Sequence, residues 1–379
     1  MRRRTFLTHT ASLAGMGLLA TRSSPAAAGG PATGADIDVG PGAGSRVVSA
    51  TAPHAIPAAQ SARAIKPRRL RPGDTVGVVT PATATFQQVE LDIVRESLEG
   101  LGLKVRIGEH VMNRYGSLGG QDRDRADDMN RFFRDPEVRA VLPTRGGWGS
   151  ARLLPLLDYD AFRRDPKIVL GYSDITALLN GLHAKTGVVT FHGPNGGGRW
   201  DEYSLDFTRR VLFDGEAVTF TNPKTTNDRN VLTQIDDRIR VITPGSARGR
   251  LIGGNLSVLT TIAGSPYVPS LDGAVLFTED VDERYYRIDR MMTQLALSGW
   301  FTRLAGFVFG TCSECSPGDG YASFTLEEVL NDHIHPLGVP AWQGAMIGHA
   351  MSQWTLPIGL DVDIDAAAGS IRMVEPAVI

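Results

Sequence analysis

The segment Lys167-Ile168-Val169-Leu170-Gly171-Tyr172-Ser173-Asp174-Ile175 carries an apolar strand, Lys167–Leu170, into a helix over Ile175–Lys185 with a single glycine at the turn. A short apolar run, a glycine and then helical periodicity mark a buried strand that feeds a crossover. The same alternation extends towards the N-terminus. Thr75–Val79 predicts a strand, and Leu91, Val94, Leu98 and Leu101 recur at helical spacing, with Gly100 and Gly102 ending that helix. Lys104–Ile107 predicts a second strand. Ala126, Met129 and Phe133 mark another amphipathic helix, and Val138–Leu142 a third strand running into Arg145-Gly146-Gly147-Trp148-Gly149. Strands alternating with helices imply a parallel sheet wound by right-handed crossovers. Sites in such sheets collect at the carboxyl ends of the strands. Ser173 and the glycine loop both follow strands directly, so both are expected on that edge.

The fold is expected to begin near Pro67, and residues 67–195 form an α/β N-terminal domain. Residues 196–248 break the rhythm and read as a connecting region. Residues 249–379 form a second, mixed α and β domain. It has a helix near Leu256–Ala263, a strand at Ala274–Thr278, a helix carrying Ile288, Met291, Met292 and Leu295, and a strand at Leu304–Gly310. Thr325 with Glu328 three residues on has the spacing of a capping box. The last 25 or so residues alternate weakly around Ala366-Ala367-Ala368-Gly369, as a hairpin does.

The first 28 residues read as a signal peptide: three arginines, a short apolar middle and Pro25-Ala26-Ala27-Ala28. Arg3-Arg4-Thr5-Phe6-Leu7 is similar to the twin-arginine export motif, so export to the periplasm or beyond is expected. Residues 29–66, rich in Ala, Gly, Pro and Ser, read as a flexible linker. Cleavage near Ala28 removes four of the 39 basic residues and none of the 41 acidic ones, taking the net charge from -2 to -6. That balance argues against nucleic acid as a partner. No apolar run after the first ~20 residues is long enough to span a bilayer. The two cysteines, Cys312 and Cys315, are too few for a zinc site or a disulfide framework. Whether they form one bridge or pack as free thiols stays open, and no function is assigned to them.

Ser173 admits two readings. A serine lifted from a strand-to-helix turn, with a helix N-terminus behind it, is a nucleophile elbow, although Ile175 stands where the usual second glycine would be. The residues alone favour the plainer use, Ser173 or Asp174 capping the helix, because caps are far commoner. The loop Arg145–Gly149 fails the dinucleotide spacing, because Arg152 occupies the third glycine position. Its Gly146 and Gly147 can instead offer N–H donors to an oxyanion, with the N–H of Asp174 as a second source. A serine nucleophile needs a base, and the base an orienting carboxylate. His192 and His349 are both available as bases. Glu279 closes an apolar strand, where a charged side chain is rarely wasted, and Asp280 beside it should point the other way if the strand continues.

These residues, taken in order, resemble the LD-carboxypeptidase family, which includes murein tetrapeptide carboxypeptidases and microcin C immunity proteins. The match is carried by Arg145–Gly149 with Ala151–Pro155, Gly171–Ala177, Gly253–Leu256, Thr278–Val281 running to Tyr286–Arg290, Gly348-His349 and Leu356–Gly359. It spans about residue 70 to the C-terminus. The resemblance implies a flavodoxin-like parallel-sheet N-terminal domain joined to a smaller swivelling mixed α/β domain, and a tendency to homodimers. It implies Ser173 as nucleophile, Glu279 as the acid and His349 as the base, with His192 left to a structural or substrate-side role. The implied substrate is a murein peptide ending in a D-amino acid, cut without metal or cofactor. A peptidyl-nucleotide amide is the alternative substrate, with Trp148 or Trp200 stacking on the base. A non-catalytic peptide-binding protein is the remaining alternative. Arg145 and Arg290 are both available for the substrate's terminal carboxylate, a surface salt bridge being the plainer use of either, and Thr278 stands at a position usually aliphatic in the family.

Overall fold

The computed structural model describes residues 64–223, 233, 238–318 and 323–379. The expected signal peptide and nearly all of the linker lie outside these residues. At the linker's end, Ile65 already bridges Val188, and Lys66 pairs with Glu375 at 2.8 Å.

The first sheet contains β1 (Thr75–Val79), β2 (Lys104–Ile107), β3 (Val138–Pro143), β4 (Ile168–Gly171) and β5 (Thr190–His192), with β12 (Leu356–Ile358) added at its edge. Their spatial order is β2-β1-β3-β4-β5-β12. The first five strands are parallel and follow the flavodoxin-like order, with the chain reversing direction across the sheet between β1 and β3. β12 returns from the far end of the chain and pairs antiparallel with β5, Leu356 opposite His192. All the strands but the edge strand β2 are buried almost throughout, as a sheet covered on both faces requires. The helices of this half are α1 (Gln88–Gly100), α2 (Asp122–Arg134), α3 (Tyr159–Arg164), α4 (Thr176–Thr186) and α5 (Glu202–Arg209). α1 buries Leu91, Val94 and Leu98, and α2 buries Met129, Phe132 and Phe133.

The second sheet is mixed. It holds β6 (Thr219–Thr221), β7 (Arg240–Thr243), β8 (Ser246–Asn255), β9 (Ala274–Val281), β10 (Gly306–Ser313), β11 (Ala341–Gln343), β13 (Asp361–Asp365) and β14 (Ser370–Met373). β8, β9, β10 and β11 are mutually parallel at its centre, and the outer strands are antiparallel. Its helices are α6 (Leu256–Ile262), α7 (Tyr285–Leu297) and α8 (Leu326–Ile334). Thr325 and Glu328 form the capping box of α8, and β13–β14 is the hairpin expected around Ala366–Gly369. Cys312 and Cys315 form a disulfide at the end of β10.

One close approach joins the two sheets beneath the site. β8 ends in Gly253-Gly254-Asn255, which lies against α4. The Asn255 N–H donates to Thr176 Oγ1 at 2.9 Å, and Asn180 Nδ2 donates to the Gly253 carbonyl at 2.9 Å. A Cβ on Gly254 would stand 2.4 Å from Thr176 Oγ1, at a φ of +141°. Gly254→Ala is therefore expected to lower unfolding free energy by about 3 kcal/mol, backbone strain and overpacking acting together. Denaturant unfolding reads this directly, and an unchanged midpoint would show that α4 can give way.

Candidate active site

Ser173 occupies the turn between β4 and α4 with φ +63°, the left-handed conformation that few residues other than glycine adopt. A backbone held in that region stores strain where side-chain direction matters. The turn continues through one 3₁₀ step, Ser173–Ile175, into α4. Ile175, standing where a second glycine would be, is fully buried in the core. The elbow is thus built by the serine's own conformation and by apolar packing behind it. Asp174 does not face the cleft with its side chain. Its carboxylate accepts from Ser150 N at 2.7 Å and its carbonyl from Ser150 Oγ at 2.6 Å, which ties the elbow to the glycine loop. Burial pushes the Asp174 carboxyl above its ordinary range, with the Ser150 bonds working against it.

A buried carboxylate on β9 meets an imidazole on the loop between β11 and β12. β9 runs on through Glu279 to Val281, so consecutive side chains point to opposite sides. Glu279 is fully buried, and its Oε2 accepts from His349 Nδ1 at 2.9 Å across 70 residues of sequence. Asp280 turns the other way, accepting from Asn255 Nδ2, Ser257 N and Val281 N at 2.9–3.1 Å. Burial, then the charge of Glu279, pushes Asp280 up to about 7. Asp280 thus anchors the start of α6. Burial by itself would lower the His349 pKa, but the hydrogen bond and charge of Glu279 outweigh it and hold the imidazole above its ordinary value. Gly348 makes this contact possible, because a Cβ there would lie 2.1 Å from Glu279 Oε2.

Ser173 and His349 line one cavity of about 220 Å³, together with Tyr172, Gly146, Gly147 and Asn195. Gly146 lies so close to Ser173 that a Cβ on it would stand 3.0 Å from Ser173 Oγ. The cavity meets a second one of about 250 Å³ at the β1/β3 reversal, the two sharing Thr144, Arg145 and Gly197. Arg145 lies 3.9 Å from Glu90, both half exposed. Trp148 is 54% exposed and lines neither cavity. Trp200 packs against the core, its indole N–H donating to the Gly196 carbonyl at 3.1 Å. Two residues enter the site unannounced by the sequence. Asn195 Oδ1 accepts from Tyr172 N at 3.1 Å, and the Tyr172 ring lies edge-on to His349 at 4.9 Å. Tyr172 sits inside a motif already singled out, but only the folded chain shows which way it and Asn195 face. Among the described residues no cluster of His, Cys, Asp and Glu could hold a metal ion, and no helix is long and apolar enough to cross a membrane.

An elbow serine on a flavodoxin-ordered sheet, sharing a cavity with an imidazole that is bonded to a buried carboxylate, is the arrangement of a serine-type hydrolase. The family profile of the LD-carboxypeptidase N-terminal domain matches residues 76–193, and that of the LD-carboxypeptidase C-terminal domain matches residues 248–364. The chain belongs to the LD-carboxypeptidase family, peptidase S66, and is a serine-type enzyme of that family. The probable murein peptide carboxypeptidase of Bacillus subtilis (strain 168) is 40% identical over 306 residues, 80% of this chain and 92% of that protein. The microcin C7 self-immunity protein MccF of Escherichia coli is 31% identical over 327 residues, 80% of this chain and 94% of that protein. The structure of microcin C7 self-immunity protein MccF in its wild-type apo state matches with a TM-score of 0.74 at 27% identity, covering 83% of this chain and 100% of that one. The muramoyltetrapeptide carboxypeptidase of Oxalobacter formigenes matches with a TM-score of 0.67 at 25% identity, covering 79% of this chain and 97% of that one.

Proposed function

We propose that this protein hydrolyses the L,D-peptide bond of murein tetrapeptides and releases the terminal D-alanine, through a Ser173–His349–Glu279 triad and an acyl-enzyme. The observation that carries the reading is the 2.9 Å bond from His349 Nδ1 to a fully buried Glu279, with His349 opening onto the cavity that Ser173 lines. That bond leaves Nε2 of the imidazole to take the Ser173 proton. Oγ then attacks the scissile carbonyl. The N–H of Asp174 at the start of the turn and those of Gly146 and Gly147 are suited to the oxyanion, each donor contributing roughly 3–4 kcal/mol to the transition state. Protonated His349 gives its proton to the departing amine, and D-alanine leaves. Water, deprotonated by the same imidazole, then frees the serine. The shared wall of the two cavities lets a peptide extend past Arg145, whose guanidinium is suited to a carboxylate. The basic, small-residue-ended leader supports an activity outside the cytoplasm.

The test is a muropeptide digest read by mass spectrometry, with an aminoacyl-sulfamoyl nucleoside as a parallel substrate. Loss of one alanine from tetrapeptides supports the proposal. Cleavage of the nucleoside compound alone would replace it with the immunity-type reaction, and cleavage of neither would overturn both.

A further inference from the structure

His192 ends β5 directly beside the nucleophile strand, paired in register with Gly171. It is fully buried, and neither ring nitrogen has a hydrogen-bond partner within the protein. Its ring lies edge-on to Phe277 at 5.2 Å between centroids and 6.3 Å from Tyr172, whose own ring meets His349. Phe277 and Glu279 are two apart on β9 and so share one face, which puts His192 beside the carboxylate. Glu279 has one oxygen bonded to His349, while the other, Oε1, is buried and also without a protein partner. An unpaired buried carboxylate oxygen and an unpaired buried imidazole in one neighbourhood are costly unless they serve each other. Burial lowers the His192 pKa to about 4, so the ring is neutral and presents one N–H donor and one acceptor.

We propose that His192 is a positioning residue for Glu279: its ring N–H serves Oε1 across one enclosed water molecule and holds Oε2 towards His349. This rests on the triad reading above. A carboxylate fixed at one oxygen only can rotate about its last torsion, and the His349 tautomer then loses its reference. Fixing both oxygens removes that freedom without placing a second charge in the site. A neutral donor suits this task, since a cation there would compete with His349 for the same carboxylate.

The experiment compares wild type, His192→Phe and His192→Gln for kcat and KM on a murein tetrapeptide, with thermal unfolding followed in parallel. It also records the histidine ring N–H signals of ¹⁵N-histidine-labelled wild type and Glu279→Gln protein. His192→Phe keeps a planar ring against Phe277 but no donor. It is expected to lower kcat roughly ten- to a hundredfold, the effect of one hydrogen bond to a charged group, with KM changed by less than about twofold. His192→Gln keeps an N–H and is expected to recover most of that loss. The wild-type spectrum should hold an exchange-protected His192 ring N–H that moves in Glu279→Gln. Equal activity of the Phe and Gln variants, whether both full or both impaired, overturns the proposal, as does a His192 signal indifferent to Glu279. The spectroscopic arm needs no turnover and no His192 variant that folds. If the wild type cleaves no peptide, the triad reading fails separately, while the His192–Glu279 contact is still decided.

Discussion

Ser173→Ala is expected to abolish release of the terminal D-amino acid, lowering kcat by on the order of 10⁵–10⁶-fold, while the protein stays folded. The size follows from how a triad works: its members act as a unit, so removing the nucleophile costs about as much as removing all three. Folding should survive because the substitution keeps the Cβ. The left-handed backbone at φ +63° already carries a β-carbon, so alanine adds no new strain. The elbow is held by contacts that do not involve the hydroxyl, namely buried Ile175 and the two bonds from Ser150 to Asp174. Two measurements check it, turnover on tetrapeptide and the unfolding midpoint. Wild-type turnover in a folded Ser173→Ala protein would return Ser173 to the helix-cap role that its local sequence favours. An inactive variant whose midpoint also collapsed would be uninformative alone, and Ser173→Cys, which keeps a nucleophile of similar size, then distinguishes lost chemistry from lost structure.

Much of the first sheet was legible because its signals are local. Each parallel strand is a short apolar run, each crossover a helical period, and the turn at Gly171 lies within one nine-residue segment. What escaped was made by distant pairing. β12 is three residues long with Pro357 at its centre, which by itself argues against a strand. It is tolerated because β12 is an edge strand that pairs on one side only. β8 gives no strand signal of its own in the sequence. Its glycines weaken strand propensity, yet they are what lets its end lie against α4. The site divides in the same way. Glu279 at the end of an apolar run was visible as a charge out of place. The choice between His192 and His349 was not, since nothing local tells a buried histidine from one held by a carboxylate 70 residues away. The ordered motifs of the family favoured His349. In the fold, His349 bonds Glu279, and His192 is sealed beneath it.

Glu279→Gln is expected to lower kcat by about 10⁴-fold, the scale seen when a triad carboxylate is replaced by its amide. The amide matches the carboxylate in shape, so Gly348 still clears the side chain and the loop carrying His349 keeps its course. What changes is the proton. Glu279 Oε2 accepts from His349 Nδ1, and this leaves Nε2 unprotonated towards Ser173. An amide can turn its NH₂ to His349 instead, stabilising the tautomer whose Nδ1 is bare and whose Nε2 carries the proton, which cannot act as base. The pH dependence provides a second, independent reading. In the wild type the hydrogen bond and charge of Glu279 overcome burial and hold the His349 pKa above its ordinary value. The base works only when neutral, so kcat/KM should rise with pH through a midpoint above that of a free histidine. With the amide, burial remains and the opposing charge is gone, so the midpoint of the residual activity should move to lower pH. A profile from pH 4 to 9 on both proteins measures this. A large loss of rate with an unmoved midpoint would mean that Glu279 positions the loop without setting the imidazole's protonation. An upward move would mean that another carboxylate, such as Asp280 or Glu314, controls it.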